Sequence, residues 1–98
     1  MSKRVLMFSW EYPPRIIGGL ARVVAELSRK MSKQGWEVHV VTADHPDAPE
    51  HEIDEGVFVH RVKSQTDPTP DFLTWVHRLN FGLLQYAIEL HLKNPFDI

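Results

Sequence analysis

The chain has 98 residues and a formal charge of −2; 43% of its residues are hydrophobic, 24% are charged and none is cysteine. This length and composition fit one folded domain and exclude a disordered chain, while the lack of cysteine excludes disulfides and thiolate catalysis and permits a reducing compartment. No basic stripe indicates nucleic acid and no apolar run reaches the roughly eighteen residues of a membrane span, so we expect a cytoplasmic location.

An apolar run at residues 5–8 predicts a central parallel strand with helices on both of its faces. Pro13 and Pro14 place residues 9–17 in a loop, because proline donates no ladder hydrogen bond. An amphipathic helix is predicted from residue 20 to about Gln34, since apolar residues recur there at helical spacing. The face expected to lie on the sheet consists of Leu20, Val23, Val24, Leu27 and Met31.

The end of this helix and the next strand are also marked in the sequence. Gly35 stands where a left-handed residue commonly ends a helix, with Trp36 placed to pack back on Met31. Residues 38–42 then predict a second strand, parallel to the first through a right-handed crossover.

A hairpin and a long helical region follow. Residues 51–54 and 57–62 flank Glu55 and Gly56, which predicts two strands joined by a tight turn.

The helical region has clear start and stop signals. Thr69 and Pro70 are typical of a helix start, and Pro95 ends the pattern. Asn80 lies in a weak middle part, so one helix and two helices broken near this residue are both compatible with the spacing. Residues 96–98 read as the opening of another strand.

The junction between the first strand and the first helix is the candidate functional site. The first amides of a helix have no partner inside it and carry the positive end of its dipole, so they can hold a phosphate. Gly18 and Gly19 offer a backbone without Cβ atoms there, and Arg15 offers a guanidinium suited to phosphate oxygens. A structural turn at the glycines and a solvated loop cation at Arg15 are the alternative interpretations.

The six histidines show no tight metal-binding motif. His39 and His60 fall on neighbouring predicted strands and suggest a pair, but hydrogen-bonded strand histidines are much more common than metal sites. We therefore expect no metal and no cofactor.

The order of these motifs carries a family resemblance. After the first strand come EYPP at residues 11–14, GGL at residues 18–20 and a helix, and the chain closes with NPFDI at residues 94–98. This order resembles the start of glycogen-synthase-type retaining glycosyltransferases, which have two Rossmann-like domains facing each other across a cleft, the GT-B fold. The resemblance implies that residues 1–98 form an α/β, Rossmann-like domain with a parallel sheet and flanking helices, on the acceptor side and incomplete at its carboxyl end.

The resemblance also implies an activity and site residues. The activity is transfer of a sugar from a nucleoside-diphosphate sugar to a glucan or other hydroxyl acceptor. Gly18, Gly19 and Arg15 would then contact the donor phosphates, and Glu11 and Tyr12 would line the acceptor-side cleft. Packing of the loop is the alternative role for Tyr12.

One position departs from the family pattern. The family usually has lysine two places before the glycine pair, where this chain has Ile16, which leaves the identity of donor and acceptor open. We find no combination of a nucleophile, a base and an orienting group in the sequence, so we expect no catalytic residue within this chain. We also expect no turnover from the chain alone.

Two further expectations concern the chain as a unit. A free-standing Rossmann-like module that binds a nucleotide or regulates, without catalysis, is the alternative function. Because residues 96–98 are too short to cover the outer edge of the first strand, we also expect self-association, either through that edge or by exchange of the carboxyl-terminal segment between chains.

Overall fold

The computed structural model describes residues 3–16, 19–63 and 72–98. Within these residues, a four-stranded sheet carries one helix on each face. The elements are β1 (Arg4–Ser9), α1 (Leu20–Lys33), β2 (Glu37–Ala43), β3 (His51–Asp54), β4 (Val57–Val62) and α2 (Phe72–Lys93). The strand order is β1-β2-β4-β3, with β1, β2 and β4 parallel and β3 antiparallel to β4. This arrangement confirms the predicted Rossmann-like α/β fold.

The end of α1 follows the predicted glycine motif. Gly35 has φ of +93°, its amide donates to the Ser32 carbonyl at 3.0 Å, and the Trp36 amide donates to the Met31 carbonyl at 3.2 Å. These two bonds define a Schellman motif, which satisfies carbonyls that the helix would otherwise leave unpaired. Met31 and Trp36 both pack on the core beside α1, as expected.

The face that α1 turns toward the sheet corrects the prediction. Three of the five residues expected on the sheet, Leu20, Val23 and Leu27, are 46–60% exposed. The buried face instead consists of Ala21, Val24, Ala25 and Ser28. Small side chains at three of these four positions let the helix backbone approach the valine-rich strands closely, so the strands supply the volume of the core and the larger helix residues remain outside.

The predicted hairpin is confirmed. Glu55 and Gly56 have φ of 48° and 88°, the left-handed pair of a type I′ turn, and Asp54 pairs with Val57 across it. A Cβ atom on Gly56 would lie 2.3 Å from the Ser32 hydroxyl, so any larger residue there would force the Ser32 side chain to move.

Helix α2 is continuous, so the alternative with a break near Asn80 is wrong. Its buried residues Leu79 and Leu83 pack on the sheet, and a Cβ on Gly82 would lie 3.4 Å from the Val62 side chain. That distance is an ordinary van der Waals contact, so alanine would also fit at this position, and Gly82 costs the helix about 1 kcal/mol of propensity relative to alanine. The predicted start at Thr69 and Pro70 lies outside the described residues. Among the described residues, neither helix is long and apolar enough to cross a membrane.

Side chains along each strand point alternately to the two faces of the sheet and form two core clusters. Val38 and Val40 of β2 face α1, whereas Val41 and Ala43 face α2. The same period of two divides the side chains of the other strands between the two helices.

The closing residues of the chain lie along the outer side of β1. The Leu6 amide donates to the Ile98 carbonyl at 2.9 Å, and the Asp97 amide donates to the Arg4 carbonyl at 2.8 Å. Strand β1 thus lies between β2 and this segment, as the sequence predicts. It is less buried than expected of a central strand, because Phe8 is 52% exposed.

Candidate functional site

A cavity lies at the carboxyl end of β1, where the connections of the sheet change direction. From β1 the chain passes through α1, on one face of the sheet, to β2 at one edge of β1. Helix α2 lies on the opposite face and leads to the closing segment at the other edge of β1. Ligands of open parallel α/β sheets bind outside the carboxyl ends of strands at such a switch point. The switch-point cavity has a volume of about 200 Å³ and is lined by Phe8, Ser9, Trp10, Leu20, Asn80 and Leu83.

The carboxylate of Glu11 lies at the amino terminus of α1. Glu11 is buried, and its Oε1 accepts a hydrogen bond of 3.3 Å from the Ala21 amide in the first turn. The Ser9 hydroxyl donates to the Glu11 carbonyl at 2.6 Å, which fixes the backbone before it. In this structure the positive end of α1 is therefore paired with a carboxylate of the chain itself.

The two glycines expected to hold a phosphate can be placed only in part. Gly19 is the N-cap of α1, with φ of −79° and no hydrogen bond from a capping side chain. A Cβ built on Gly19 meets no atom within 4 Å, so its surroundings are open. Gly18 lies outside the described residues.

Tyr12 is a core residue, only 1% exposed, and does not line the switch-point cavity. Its hydroxyl donates to Asp54 Oδ2 at 2.7 Å, and the same oxygen accepts from Arg29 Nη2 at 2.7 Å. Burial, together with the Asp54 carboxylate, raises the pKa of Tyr12. Burial opposes ionisation of Asp54, but hydrogen bonds from Tyr12 and Arg29 hold its pKa below the ordinary value. The position of Tyr12 matches the packing role, and a contact with an acceptor stays a prediction.

Arg15 connects two loops at the carboxyl end of the sheet. Its Nε and Nη2 donate to the Asp44 carbonyl, directly after β2, at 3.0 and 2.6 Å. The guanidinium is half-buried and belongs to the junction between these loops. Its predicted contact with a donor phosphate stays a prediction.

Arg61 is the anchoring residue that sequence reasoning missed. It is 4% exposed, and its guanidinium donates to the carbonyls of Pro13 and Pro49 at 2.8 and 3.1 Å and pairs with Glu52 at 2.6 Å. A signal was present, because Arg61 follows Val57 at an even spacing and so occupies an inward-facing position of β4. The guanidinium thus joins the loop after β1 to the segment before β3.

The switch-point cavity offers groups that bind rather than groups that react. Trp10 is 41% exposed and Asn80 is exposed, which places an indole ring and an amide at the opening. Aromatic faces pack against sugar rings, and amides donate to and accept from hydroxyls. Within the described residues, no group of three or more His, Asp or Glu side chains could hold a metal ion.

Comparison with known proteins identifies the family of the chain and supports its fold. The family model described as the starch synthase catalytic domain matches residues 4–93. A protein of Methanocaldococcus jannaschii named as an uncharacterized glycosyltransferase is 44% identical over 72 residues, which cover 74% of this chain and 18% of the relative. Glycogen synthase of Mycobacterium tuberculosis is 32% identical over an alignment of 100 positions, which covers 89% of this chain and 23% of the relative.

The match spans the parallel sheet, the loop at residues 11–16 and both helices, so it includes every described element that surrounds the switch-point cavity. The chain spans about a fifth of the length of the curated relatives it matches. With the family model covering nearly the whole chain, this chain belongs to the starch synthase catalytic domain family of glycosyltransferases.

Proposed function

We propose that this chain forms one wall of the substrate cleft of a retaining glycosyltransferase. The reaction would transfer a sugar from a nucleoside-diphosphate sugar to a glucan or another hydroxyl acceptor. The position of the switch-point cavity carries this proposal, because the cavity lies beside the start of α1 at the carboxyl end of β1. Relatives named glycogen synthase and glycosyltransferase support the reaction class.

The amides of Gly19 and Leu20, which precede the Ala21 amide bound by Glu11, are the proposed contact for the donor phosphates at the start of α1. Charge builds on the leaving phosphate in the transition state of such a transfer, and fixed amides at a helix start stabilise it. Gly19 supports this role, because open space around its Cα lets an oxygen approach the backbone. Arg15 adds a positive charge beside the same loop. Gly18 is included in the proposal by its sequence position alone.

The remaining loop residues have a positioning role in this proposal. Glu11 binds the first turn of α1, Tyr12 binds Asp54, and the carbonyl of Pro13 binds Arg61. A loop held at each of these points presents its backbone with little further loss of conformational entropy on binding. Trp10 and Asn80 would contact sugar rings and hydroxyls at the opening of the cavity.

Ligand titration of the 98-residue chain tests the donor contact. We expect adenosine diphosphate glucose or uridine diphosphate glucose to shift the amide resonances of Gly19 and Leu20 and the indole resonance of Trp10. Affinity in the millimolar range is expected, since the resemblance assigns most donor contacts to a second domain. Inorganic pyrophosphate should shift the two amides and leave Trp10 unchanged.

The variant Gly19→Ala makes this test specific. The added methyl group meets no atom within 4 Å and φ is −79°, so stability should change by less than about 0.5 kcal/mol. Affinity for the donor should fall by about fivefold to tenfold, because the methyl group occupies the path of the phosphate. Lys33→Ala, at the far end of α1, is the matched control. Equal affinity for Gly19→Ala and the unchanged chain would contradict the phosphate contact, and binding without any preference for a sugar would favour the non-catalytic nucleotide-binding module.

We also propose that two copies of this chain associate through the outer edge of β1. Phe8 is half exposed there, beside an apolar groove of about 360 Å³ lined in part by Leu6, Ile88 and Ile98. Light scattering after size exclusion should show a mass that rises with concentration. Phe8→Lys should return the chain to a monomer, whereas Ile53→Lys, at an exposed apolar position on β3, should not. A monomer at every concentration would refute the association.

A further inference from the structure

A line of hydrogen-bonded polar side chains crosses the sheet on the face covered by α2, away from the switch-point cavity. We call it the polar relay; its members, in order, are Arg4, Glu37, His39, His60, Tyr86 and His51. His39 Nε2 lies 2.9 Å from Glu37, and His39 Nδ1 lies 2.9 Å from His60 Nε2. The Tyr86 hydroxyl lies 3.2 Å from His60 Nδ1 and 2.6 Å from His51 Nε2. The relay thus connects all four strands to the middle of α2.

The relay is enclosed at one end and open at the other. His39 is buried. The centroid of its ring lies 4.8 Å from the ring centroid of Phe58 and 5.1 Å from that of His60, and Phe96 makes an edge-on contact with it. His51 is exposed. Solvent protons therefore reach the His51 end of the relay most readily.

The partner at each nitrogen determines the tautomers when all three histidines are neutral. Glu37 is ionised, because hydrogen bonds from Arg4 and His39 hold its pKa below the ordinary value, and a carboxylate only accepts. His39 must then donate through Nε2, which leaves Nδ1 to accept from His60 Nε2. By the same rule His60 Nδ1 accepts from the Tyr86 hydroxyl, and the Tyr86 oxygen accepts from His51 Nε2. Every hydrogen bond is made, and all of them point toward Glu37.

One added proton can be accommodated with every bond retained. His51 Nδ1 takes a proton from solvent, and its Nε2 proton passes to the Tyr86 oxygen. The original hydroxyl proton of Tyr86 passes to His60 Nδ1, and the Nε2 proton of His60 passes to His39 Nδ1. His39 is then an imidazolium paired with Glu37, while His60 and His51 are neutral Nδ1–H tautomers. Three of the relay's hydrogen bonds have reversed direction, and the heavy atoms stay in place.

We propose that the polar relay is a proton-binding switch, which takes up its first proton by reversing its hydrogen bonds and releases α2 only when a second proton arrives. The charge from the first proton lies on His39, beside the carboxylate of Glu37. A second proton on His51 Nε2 leaves the Tyr86 hydroxyl facing two N–H donors, so the bond that this hydroxyl donated is lost. A second proton on His60 Nε2 places this N–H against the Nδ1–H of His39, so the bond between these two rings is lost. This proposal stands on the relay alone and does not depend on the proposed function.

The surroundings of the relay support this order of protonation. Burial and the neighbouring rings of His39 and His51 lower the pKa of His60 to about 4. The charged and titratable groups that face the relay from the packed elements are Arg4 of β1, Glu37 of β2, Glu50 before β3, Glu89 and His91 of α2, and Asp97 of the closing segment. Burial, together with the carboxylates of Glu89 and Glu50, raises the pKa of Tyr86, so this hydroxyl keeps its proton.

The sign of the resulting pH dependence follows from His60. Its pKa in the folded chain is below the unfolded value near 6.5, so the unfolded chain binds a proton more readily. Stability from this group is therefore complete above about pH 6.5 and declines as the pH falls toward 4. Because α2 also carries Asn80 and Leu83 of the switch-point cavity, its release would open that cavity.

Nitrogen-15 NMR of the histidine rings in the 98-residue chain tests the switch directly. At pH 8 we expect Nε2–H tautomers for His39, His60 and His51. At pH 5 we expect both nitrogens of His39 to be protonated and His60 to be neutral with its proton on Nδ1. A change of tautomer at His60 without a change of charge is specific to a reversed relay. Protonation of both His60 nitrogens in the same pH range, or three independent titrations with fixed tautomers, would overturn the proposal.

The variant Tyr86→Phe provides the second measurement. It removes the hydroxyl that accepts from His60 in the reversed relay, so the proton affinity of His39 should fall about tenfold. His45→Gln, outside the relay, is the control and should leave the His39 titration unchanged. In the unchanged chain, amide exchange of α2 should stay slow at pH 5 and accelerate at least tenfold relative to β2 near pH 4. Equal His39 titration in Tyr86→Phe and in the unchanged chain would refute coupling through the relay.

Discussion

Arg61→Met is expected to lower the free energy of unfolding by about 3–5 kcal/mol, because it removes a buried cation from three acceptors at once. The side chain of Arg61 is almost fully enclosed, and its partners are the carbonyls of Pro13 and Pro49 and the carboxylate of Glu52. Methionine fills much of the same volume and donates no hydrogen bond. Since domains of this size are stable by only about 5–15 kcal/mol, this loss would unfold a measurable fraction of the chain.

Urea denaturation followed by circular dichroism at pH 7 measures the effect. Arg61→Lys should recover less than half of the loss, because an ammonium group cannot reach three acceptors with the fork of a guanidinium. Arg22→Met, at an exposed position of α1, is the matched control and should change stability by less than about 0.5 kcal/mol. A loss below about 1 kcal/mol in Arg61→Met would show that the bonds to the two carbonyls are not what holds the loop.

The consequence of Arg61→Met should extend to the candidate site. Residues 11–15 form hydrogen bonds with four different parts of the fold: Glu11 with α1, Tyr12 with β3, Pro13 with β4 and Arg15 with the loop after β2. Each of these hydrogen bonds restricts the motion of the loop. Loss of the bond at Pro13 should therefore weaken donor binding even at temperatures where the variant remains folded.

Features decided by local chemistry could be predicted from the sequence. The turn at Glu55 and Gly56 and the helix end at Gly35 both depend on backbone conformations that glycine adopts easily, and neighbouring residues carry the whole signal. The parallel pairing of β1 with β2 follows equally from a strand, a helix and a second strand in succession.

Features decided by contacts between distant residues could not be predicted in the same way. Leu20, Val23 and Leu27 form an apolar stripe on α1 as regular as the stripe that is buried, so periodicity alone could not select the side facing the sheet. The choice depends on how closely Ala21 and Ala25 let the helix approach the strands. The partners of Arg61 and Tyr12 lie 9 to 48 residues away in sequence, so no local pattern shows which group satisfies each side chain.

The loop at residues 11–15 shows the same limit. The resemblance implies a cleft role for Glu11 and Tyr12, and the sequence leaves packing of the loop as an equal alternative for Tyr12. In the folded chain Glu11 binds a helix start and Tyr12 binds a buried aspartate, and their contact with an acceptor stays a prediction. Residue type alone does not distinguish a group that binds substrate from one that positions the loop that binds it.

Asp54→Ala is the second large change, with an expected loss of about 2–3 kcal/mol. The carboxylate accepts from the Tyr12 hydroxyl and from both Nε and Nη2 of Arg29. Its removal leaves a hydroxyl in the core without its acceptor, and the cost of such an unsatisfied buried group is about 1–3 kcal/mol. Arg29 adds less to the loss, because it is partly exposed and is also paired with Glu55.

A double-mutant cycle with Tyr12→Phe separates these contributions. Phenylalanine retains the ring in the core and removes the hydroxyl that needs an acceptor, so Asp54→Ala should cost only about 1 kcal/mol in that background. The resulting coupling of about 1–2 kcal/mol would measure the bond between the loop after β1 and the hairpin. Asp47→Ala, at an 83% exposed side chain, is the control and should change stability by less than about 0.5 kcal/mol in either background. Additive losses would mean that Tyr12 is held by its ring alone.

The pH dependence of this coupling follows from Asp54. Its pKa in the folded chain lies below the unfolded value near 3.8, so its stabilising contribution is complete well above that pH and is lost as the pH falls through the folded value. The coupling measured by urea denaturation should therefore be the same at pH 7 and pH 5.5 and smaller at pH 3. The loss expected from the polar relay begins at a higher pH, below about 6.5, and persists in Tyr12→Phe. The two acid-sensitive contacts can thus be distinguished in one set of titrations, because only the decline at lower pH becomes smaller when the Tyr12 hydroxyl is removed; the part that remains reflects the bonds from Arg29 to Asp54.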